Sequence, residues 1–265
     1  MFKKQKTLIL LVIIFMLILS STIYIYAAED YIDKSKLDSG IIKINYKSNK
    51  TVAIRVSKDN INYDYILGSE ASIPLQLGNG EYTILILSNV EGNKYKQVHK
   101  EKISLELKDS NQLYLQSIQM IDFNDDMEAV KLAKKLTENA ATEKEKVKLI
   151  YDYIVENISY DTPKAGKMPE NYLPNADETL SSKKGVCYDY SALFASMLRS
   201  IGIPTKLMMG YKNDIEVYHA WNQIYLSDTD EWVNIDTTYG AAFKDQKTQP
   251  AMIREASEYK IEKQY

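Results

Sequence analysis

The chain has 265 residues, 45% of them apolar and 26% charged, with 33 Lys plus Arg against 36 Asp plus Glu for a formal net charge of −3. That balance excludes wholesale disorder, collagen and a multi-span membrane protein, and it offers no basic surplus for a nucleic-acid partner. The single cysteine permits no intrachain disulfide and no Cys-rich zinc site, and the two histidines, His99 and His219, exclude an H-E-x-x-H metalloprotease motif.

Lys3, Lys4 and Lys6 precede an unbroken apolar run from Leu8 to Leu19. A basic flank followed by an apolar stretch is the pattern of an export signal, with cleavage after Ala27. Residues 7–28 are also long enough to span a bilayer, with Tyr24 and Tyr26 at the outer interface. Residues 1–27 are therefore expected to be a signal peptide or an N-terminal membrane anchor, and both place the remainder outside the cytoplasm, secreted or tethered. No cysteine follows the apolar run, so a lipoprotein anchor is excluded. Without residues 1–27 the chain keeps 238 residues and a net charge of −6. An exported protein with one unpaired cysteine directs attention to that thiol.

From Gly40 to Ile118 the sequence alternates or runs short and β-branched. GIIKINY, TVAIRV, INYDYIL, SIPLQL, EYTILILS, YKQVHKEKISLEL and LYLQSI are separated by turn-forming stretches such as SKDN, GNG and EGN. This spacing predicts an antiparallel, Ig-like β-sandwich over residues 35–120. His99 lies in its lysine-rich strand and is read as part of a solvated face.

After Phe123 the period changes to that of helices, and residues 121–265 form the second predicted domain. Asp122, Asn124 and Asp126 have calcium-loop offsets, but Met127 replaces the required glycine and Ala133 the terminal glutamate, so no metal is expected. Met127 to Ala140 reads as a helix. Thr142 and Glu145 form a capping box for a second one, with Val147, Ile150, Ile154 and Ile158 on one face. Pro163 and AGKMPENYLPNA then predict a loop.

In KKGVCYDYSALFASMLRSIGIP, Tyr190, Leu193, Phe194, Met197, Leu198 and Ile201 recur at helical spacing, ended by Gly202 and Pro204. Cys187 falls at the first turn, where unpaired N–H groups and the helix dipole favour a thiolate. KLMMGY, EVYHAWNQIYL and EWVNIDTTYG read as strands. A loop at Ser227–Asp230 pairs Leu226 with Glu231 and Trp221 with Asp236, which sets Asp236 diagonal to His219 on one face. Trp221, Trp232, Tyr225 and Asn234 share that face; Ala220, Ile224, Leu226, Val233 and Ile235 fill the other.

GVCYDYSALFASMLRSIGIPTKLMMGY, HAWNQIYL and WVNIDTTYG together resemble the catalytic core of the transglutaminase-like superfamily over roughly residues 142–240. The resemblance implies an α+β, papain-like fold and a triad with Cys187 as nucleophile, His219 as base and Asp236 as orienter. Thr237 stands where many members have proline, and the indole that stabilises the oxyanion in animal transglutaminases has no counterpart upstream of Cys187. Tyr160, in NISYD, resembles a tyrosine that bacterial members place there and is a candidate second oxyanion donor. Trp221 and Trp232 are expected to flank the site and limit water.

Such a triad needs no cofactor. His219 would take the proton of Cys187, the thiolate would attack an amide carbonyl, and the thioester would pass to an amine or to water. The expected function is acyl transfer or hydrolysis at an amide of an extracytoplasmic protein or cell-wall peptide. A cysteine protease with the same triad and a non-catalytic surface binding module are the alternatives.

Overall fold

The computed structural model describes residues 30–68, 71–169, 171–246 and 250–265. The expected export segment, residues 1–27 with its span 7–28, lies outside the described residues. Among the described residues no helix is long and apolar enough to cross a membrane.

Seven strands come first: β1 (Ile32–Asp33), β2 (Ile41–Ile44), β3 (Val52–Lys58), β4 (Ile61–Ile66), β5 (Ser72–Pro74), β6 (Gly80–Glu91) and β7 (Lys94–Leu105). They form two antiparallel sheets, ordered β1-β2-β5 and β4-β3-β6-β7. The alternation does what period two requires: Tyr82, Ile84 and Ile86 of β6 turn inward and are fully buried. They join Ile32, Ile42, Ile54, Val56 and Ile73 in one cluster drawn from both sheets. Asp59 and Asn60, both at positive φ, make the tight turn that pairs Lys58 with Ile61.

The segment LYLQSI is not a strand. Ser110–Leu115 is a 3-10 helix started by Asp109, whose carboxylate accepts the Asn111 N–H at 2.9 Å. Ile118 retains a single bridge, to Ile121. The local Asp-Ser-Asn turn outcompetes a short apolar alternation that has no neighbouring strand to pair with.

The helical part begins with α1 (Glu128–Thr137) and α2 (Glu143–Asn157). Thr142 Oγ1 accepts the Glu145 N–H at 3.2 Å, and Glu145 returns to the Ala141 N–H at 2.8 Å, one residue earlier than a standard capping box. Beyond β8 (Ser159–Tyr160), one short helix, α3 (Thr162–Ala165), overlaps the start of the predicted loop, and a second, α4 (Ala176–Ser182), begins at its last residue. Each has its own cap: Asp161 accepts the Lys164 N–H, and Asn175 the Glu178 N–H. β9 (Lys184–Gly185) runs parallel to β8 and leads into α5 (Cys187–Ser200).

A five-stranded sheet follows, ordered β13-β12-β11-β10-β14, from β10 (Thr205–Lys212), β11 (Ile215–Leu226), β12 (Glu231–Ile235), β13 (Ile253–Arg254) and β14 (Tyr259–Gln264), with α6 (Thr237–Ala242) between β12 and β13. Asn222 of β11 donates to the Ser191 carbonyl of α5 at 3.0 Å, and Leu193, Phe194 and Met197 share a cluster with Ile150, Ile224 and Ile235. A side chain at Gly240 of α6 would put its Cβ 2.2 Å from the Tyr151 hydroxyl of α2, so a hydrogen is all that fits there.

Near the far end of α5, Arg199 is buried and donates to the carbonyls of Thr205 (2.8 Å), Gln116 (2.6 Å) and Tyr265 (3.2 Å). Burial pulls its pKa down to about 9, so those carbonyls are what the guanidinium has in place of water. Tyr265 also packs edge-on against Tyr63 and Tyr65. The strand sheets, α5 and the C-terminal strand thereby share one interior.

Candidate active site

Cys187 is the first residue of α5, and the turn ahead of it is tightly held. The Asp189 carboxylate accepts the Val186 N–H at 2.8 Å, and a Cβ on Gly185 would lie 2.7 Å from Asp189 Cβ. Asp189 is fully buried; it also accepts from the Tyr172 hydroxyl at 2.6 Å and pairs with Lys164 Nζ at 2.8 Å. Lys164 in turn donates to Tyr172 at 2.7 Å, which closes a triangle between the α3–α4 segment and the nucleophile helix.

β11 and β12 adopt the register expected from the four-residue loop, with Leu226 opposite Glu231 and Asn222 opposite Ile235. Asp236 follows as the cap of α6, its Oδ1 accepting the Tyr239 N–H at 2.9 Å. Its Oδ2 lies 2.8 Å from His219 Nε2 and accepts the Tyr259 hydroxyl at 3.2 Å. Asp236 thus takes Nε2 and leaves Nδ1 as the open ring nitrogen, in a ring that lines the same cavity as Cys187. Burial disfavours the His219 cation, but Asp236 and then Cys187 more than offset it and push the pKa up to about 10. Asp236 and Cys187 thus favour the protonated form of a ring that is only 4% exposed.

The structure joins His219 to Asp236 by a hydrogen bond and sets Cys187 on the same cavity as His219. Tyr160 is beside them: pairing of β8 with β9 sets it opposite Gly185, and it lines the same cavity as Cys187 and His219. Burial and then the charge of Cys187 raise the Tyr160 pKa, which keeps the phenol protonated as a donor.

The two tryptophans depart from expectation. Neither is among the described residues that line the cavity. Trp221 is fully buried, stacked on the His219 ring with centroids 6.3 Å apart, and donates to Asn234 at 3.2 Å. Trp232 pairs with Tyr225, six residues along β11 from His219, a separation of about 20 Å at the usual strand rise. There it packs against Tyr114 and under Lys206 Nζ, 3.9 Å from its ring centre. Period two puts both rings on the His219 face, but strand length carries Trp232 away from the chemistry.

Sequence reasoning missed four supporting residues. Asp189 carries a signal, an acid three residues after the helix cap. Lys164 and Tyr172 lie in a segment without period, and Tyr259 comes from a strand the sequence does not announce.

A family model described as the transglutaminase-like superfamily matches residues 130–237. The human kyphoscoliosis peptidase is 29% identical over 124 residues, covering 43% of this chain and 18% of that protein. The Bacillus subtilis protein YebA, which is uncharacterised, is 30% identical over 128 residues, 41% of this chain and 17% of its own length. The chain thus spans less than a fifth of the curated relatives it matches. A solved structure of a candidate cysteine protease from Cytophaga hutchinsonii aligns with a TM-score of 0.42 at 18% identity, covering 71% of this chain and 72% of that one. The stretch matched by that model, residues 130–237, carries all three triad candidates.

Proposed function

We propose that this protein is a cysteine-dependent enzyme that attacks an amide of a polypeptide and passes the acyl group to water. The observation that carries this reading is the His219 ring, fixed by Asp236 on Nε2 and lining one cavity with Cys187 at a helix start. In the reaction the Cys187 thiolate adds to the carbonyl carbon. The developing oxyanion meets the Cys187 N–H and the Tyr160 hydroxyl. His219 gives its proton to the departing amine, then takes one from the water that opens the thioester. Asp236 keeps the ring in the tautomer that both steps require.

Hydrolysis is favoured over transfer to an amine because neither tryptophan walls the cavity, so the indole shield expected to exclude water is missing from the residues that line it. The curated human relative bears the name of a peptidase, which agrees with water as acceptor. The test is to incubate the protein with a folded and an unfolded polypeptide, with and without a labelled primary amine. New termini are expected, and Cys187→Ala should remove them while leaving the fold intact. Label incorporation without new termini would replace hydrolysis by transfer; full activity in Cys187→Ala would reject the site.

Three further parts of the reading rest on sequence and topology. The three- and four-stranded antiparallel sheets support an Ig-like sandwich over residues 35–120, preceding a catalytic region at 121–265. The apolar run after Lys3, Lys4 and Lys6 supports an extracytoplasmic location, released or tethered. Fractionating cells and sequencing the mature N-terminus tests the last two outcomes.

A further inference from the structure

The cavity beside Cys187 and His219 has a volume of about 520 Å³ and a chemical bias. Ile158, Val217, Ala241, Ala242 and Phe243 wall it with aliphatic and aromatic surface. Two charged side chains reach it besides the triad candidates, Asp214 and Lys244. Both have partners of their own. Asp214 accepts from Lys212 and from the Tyr239 hydroxyl at 2.9 Å, and Lys244 donates to the Glu156 carbonyl at 3.1 Å. A charged substrate group entering here would lose water and compete with those contacts for a counter-charge. An apolar group meets walls that match it, and each added methylene corresponds to roughly a fourfold gain in affinity.

We propose that the acyl donor carries a bulky, uncharged apolar side chain beside the reacting amide. This selects an internal stretch of polypeptide over a cell-wall-type peptide with a free carboxylate or ammonium next to the bond. The inference rests on the reading of Cys187 as the nucleophile and adds the selectivity of the same site.

Thiol-directed probes separate the two ideas. Iodoacetamide, N-(2-phenylethyl)iodoacetamide and N-(carboxymethyl)iodoacetamide all react by one step: the thiolate forms a C–S bond and iodide leaves. Rates on the full protein are divided by rates on glutathione for each reagent. The phenylethyl reagent is expected to lead iodoacetamide by about tenfold or more, and the carboxymethyl reagent to trail it. Val217 is 65% exposed, so Val217→Asp should fold, and it should collapse the phenylethyl preference. Equal normalised rates, a carboxymethyl preference, or a phenylethyl preference that survives Val217→Asp would each overturn the inference while leaving the nucleophile in place. Reaction no faster than glutathione for all three reagents, and unaltered by His219→Gln, would instead remove the nucleophile, and the inference with it.

Discussion

The two ends of α5 each bury a charge, and they satisfy it with different kinds of partner. Arg199 gives its donors to main-chain carbonyls of three separate segments, at Gln116, Thr205 and Tyr265. Asp189 gathers one main-chain N–H, from Val186, and two side chains, Tyr172 and Lys164. Both signs suit the helix dipole, an anion in the first turn and a cation in the last. Carbonyls cannot be exchanged by mutation, so the Arg199 end ties segments together whatever their side chains are. The Asp189 end depends on side chains from the α3–α4 segment, and it orients the turn that presents Cys187. One helix is thus anchored for assembly at its tail and for chemistry at its head.

Arg199→Met should break the assembly end most severely. Three carbonyls would lose a donor, although that of Tyr265 keeps the Leu207 N–H, and a loss of about 3 kcal/mol is expected, a fall in Tm of roughly 6 °C or more by calorimetry. The iodoacetamide rate of the molecules that remain folded should stay close to wild type. If the alkylation rate falls as far as the stability does, the two ends are not separable.

Asp189→Ala should do the reverse. The lost cap is worth about 1–2 kcal/mol, but a displaced thiol is expected to lower kcat by about a hundredfold. A kcat within twofold of wild type would show that the first turn holds its shape without the carboxylate. The paired variant Lys164→Met, which keeps the cap and removes one leg of the triangle, should fall between the two.

The charge on His219 gives a smaller, pH-dependent effect. Its pKa is raised in the folded state, from the ordinary 6.5 to about 10, so the protein stabilises the protonated ring. That contribution is complete below about pH 6.5 and is lost as pH rises through 10. Urea unfolding of the wild type against His219→Gln should therefore show a stability gap at pH 6 that closes by pH 10.5. A gap that widens with pH would mean the ring is held neutral.

Trp232→Leu should change least in catalysis. The ring belongs to the Tyr114–Lys206 packing and not to the cavity, so kcat/KM is expected to stay within about twofold of wild type. A tenfold loss would return Trp232 to the site.

The triad geometry was legible because each part is a short-range rule. Helical spacing places Cys187 at an N-terminus, and a four-residue loop sets which face Asp236 takes. What was hidden depended on distance along the chain. Lys164 and Tyr172 reach Asp189 from a segment whose Gly and Pro content hides two short helices. β14, YKIEKQ, is an edge strand rich in charged residues, and its pairing with β10 is visible in no local pattern. LYLQSI failed for the opposite reason: the alternation was there, and no partner strand was.

Gly240 extends the consequences of this architecture to a face that touches neither sulfur nor imidazole. Its bare α-carbon lets α6 nest against Tyr151, and the residue that opens α6 is the carboxylate behind the imidazole. Adding a methyl group would wedge two helices apart and carry Asp236 with them. A screen for inert but well-folded mutants of this chain should therefore recover alanine at position 240, a lesion that maps of direct contact around the thiol would overlook.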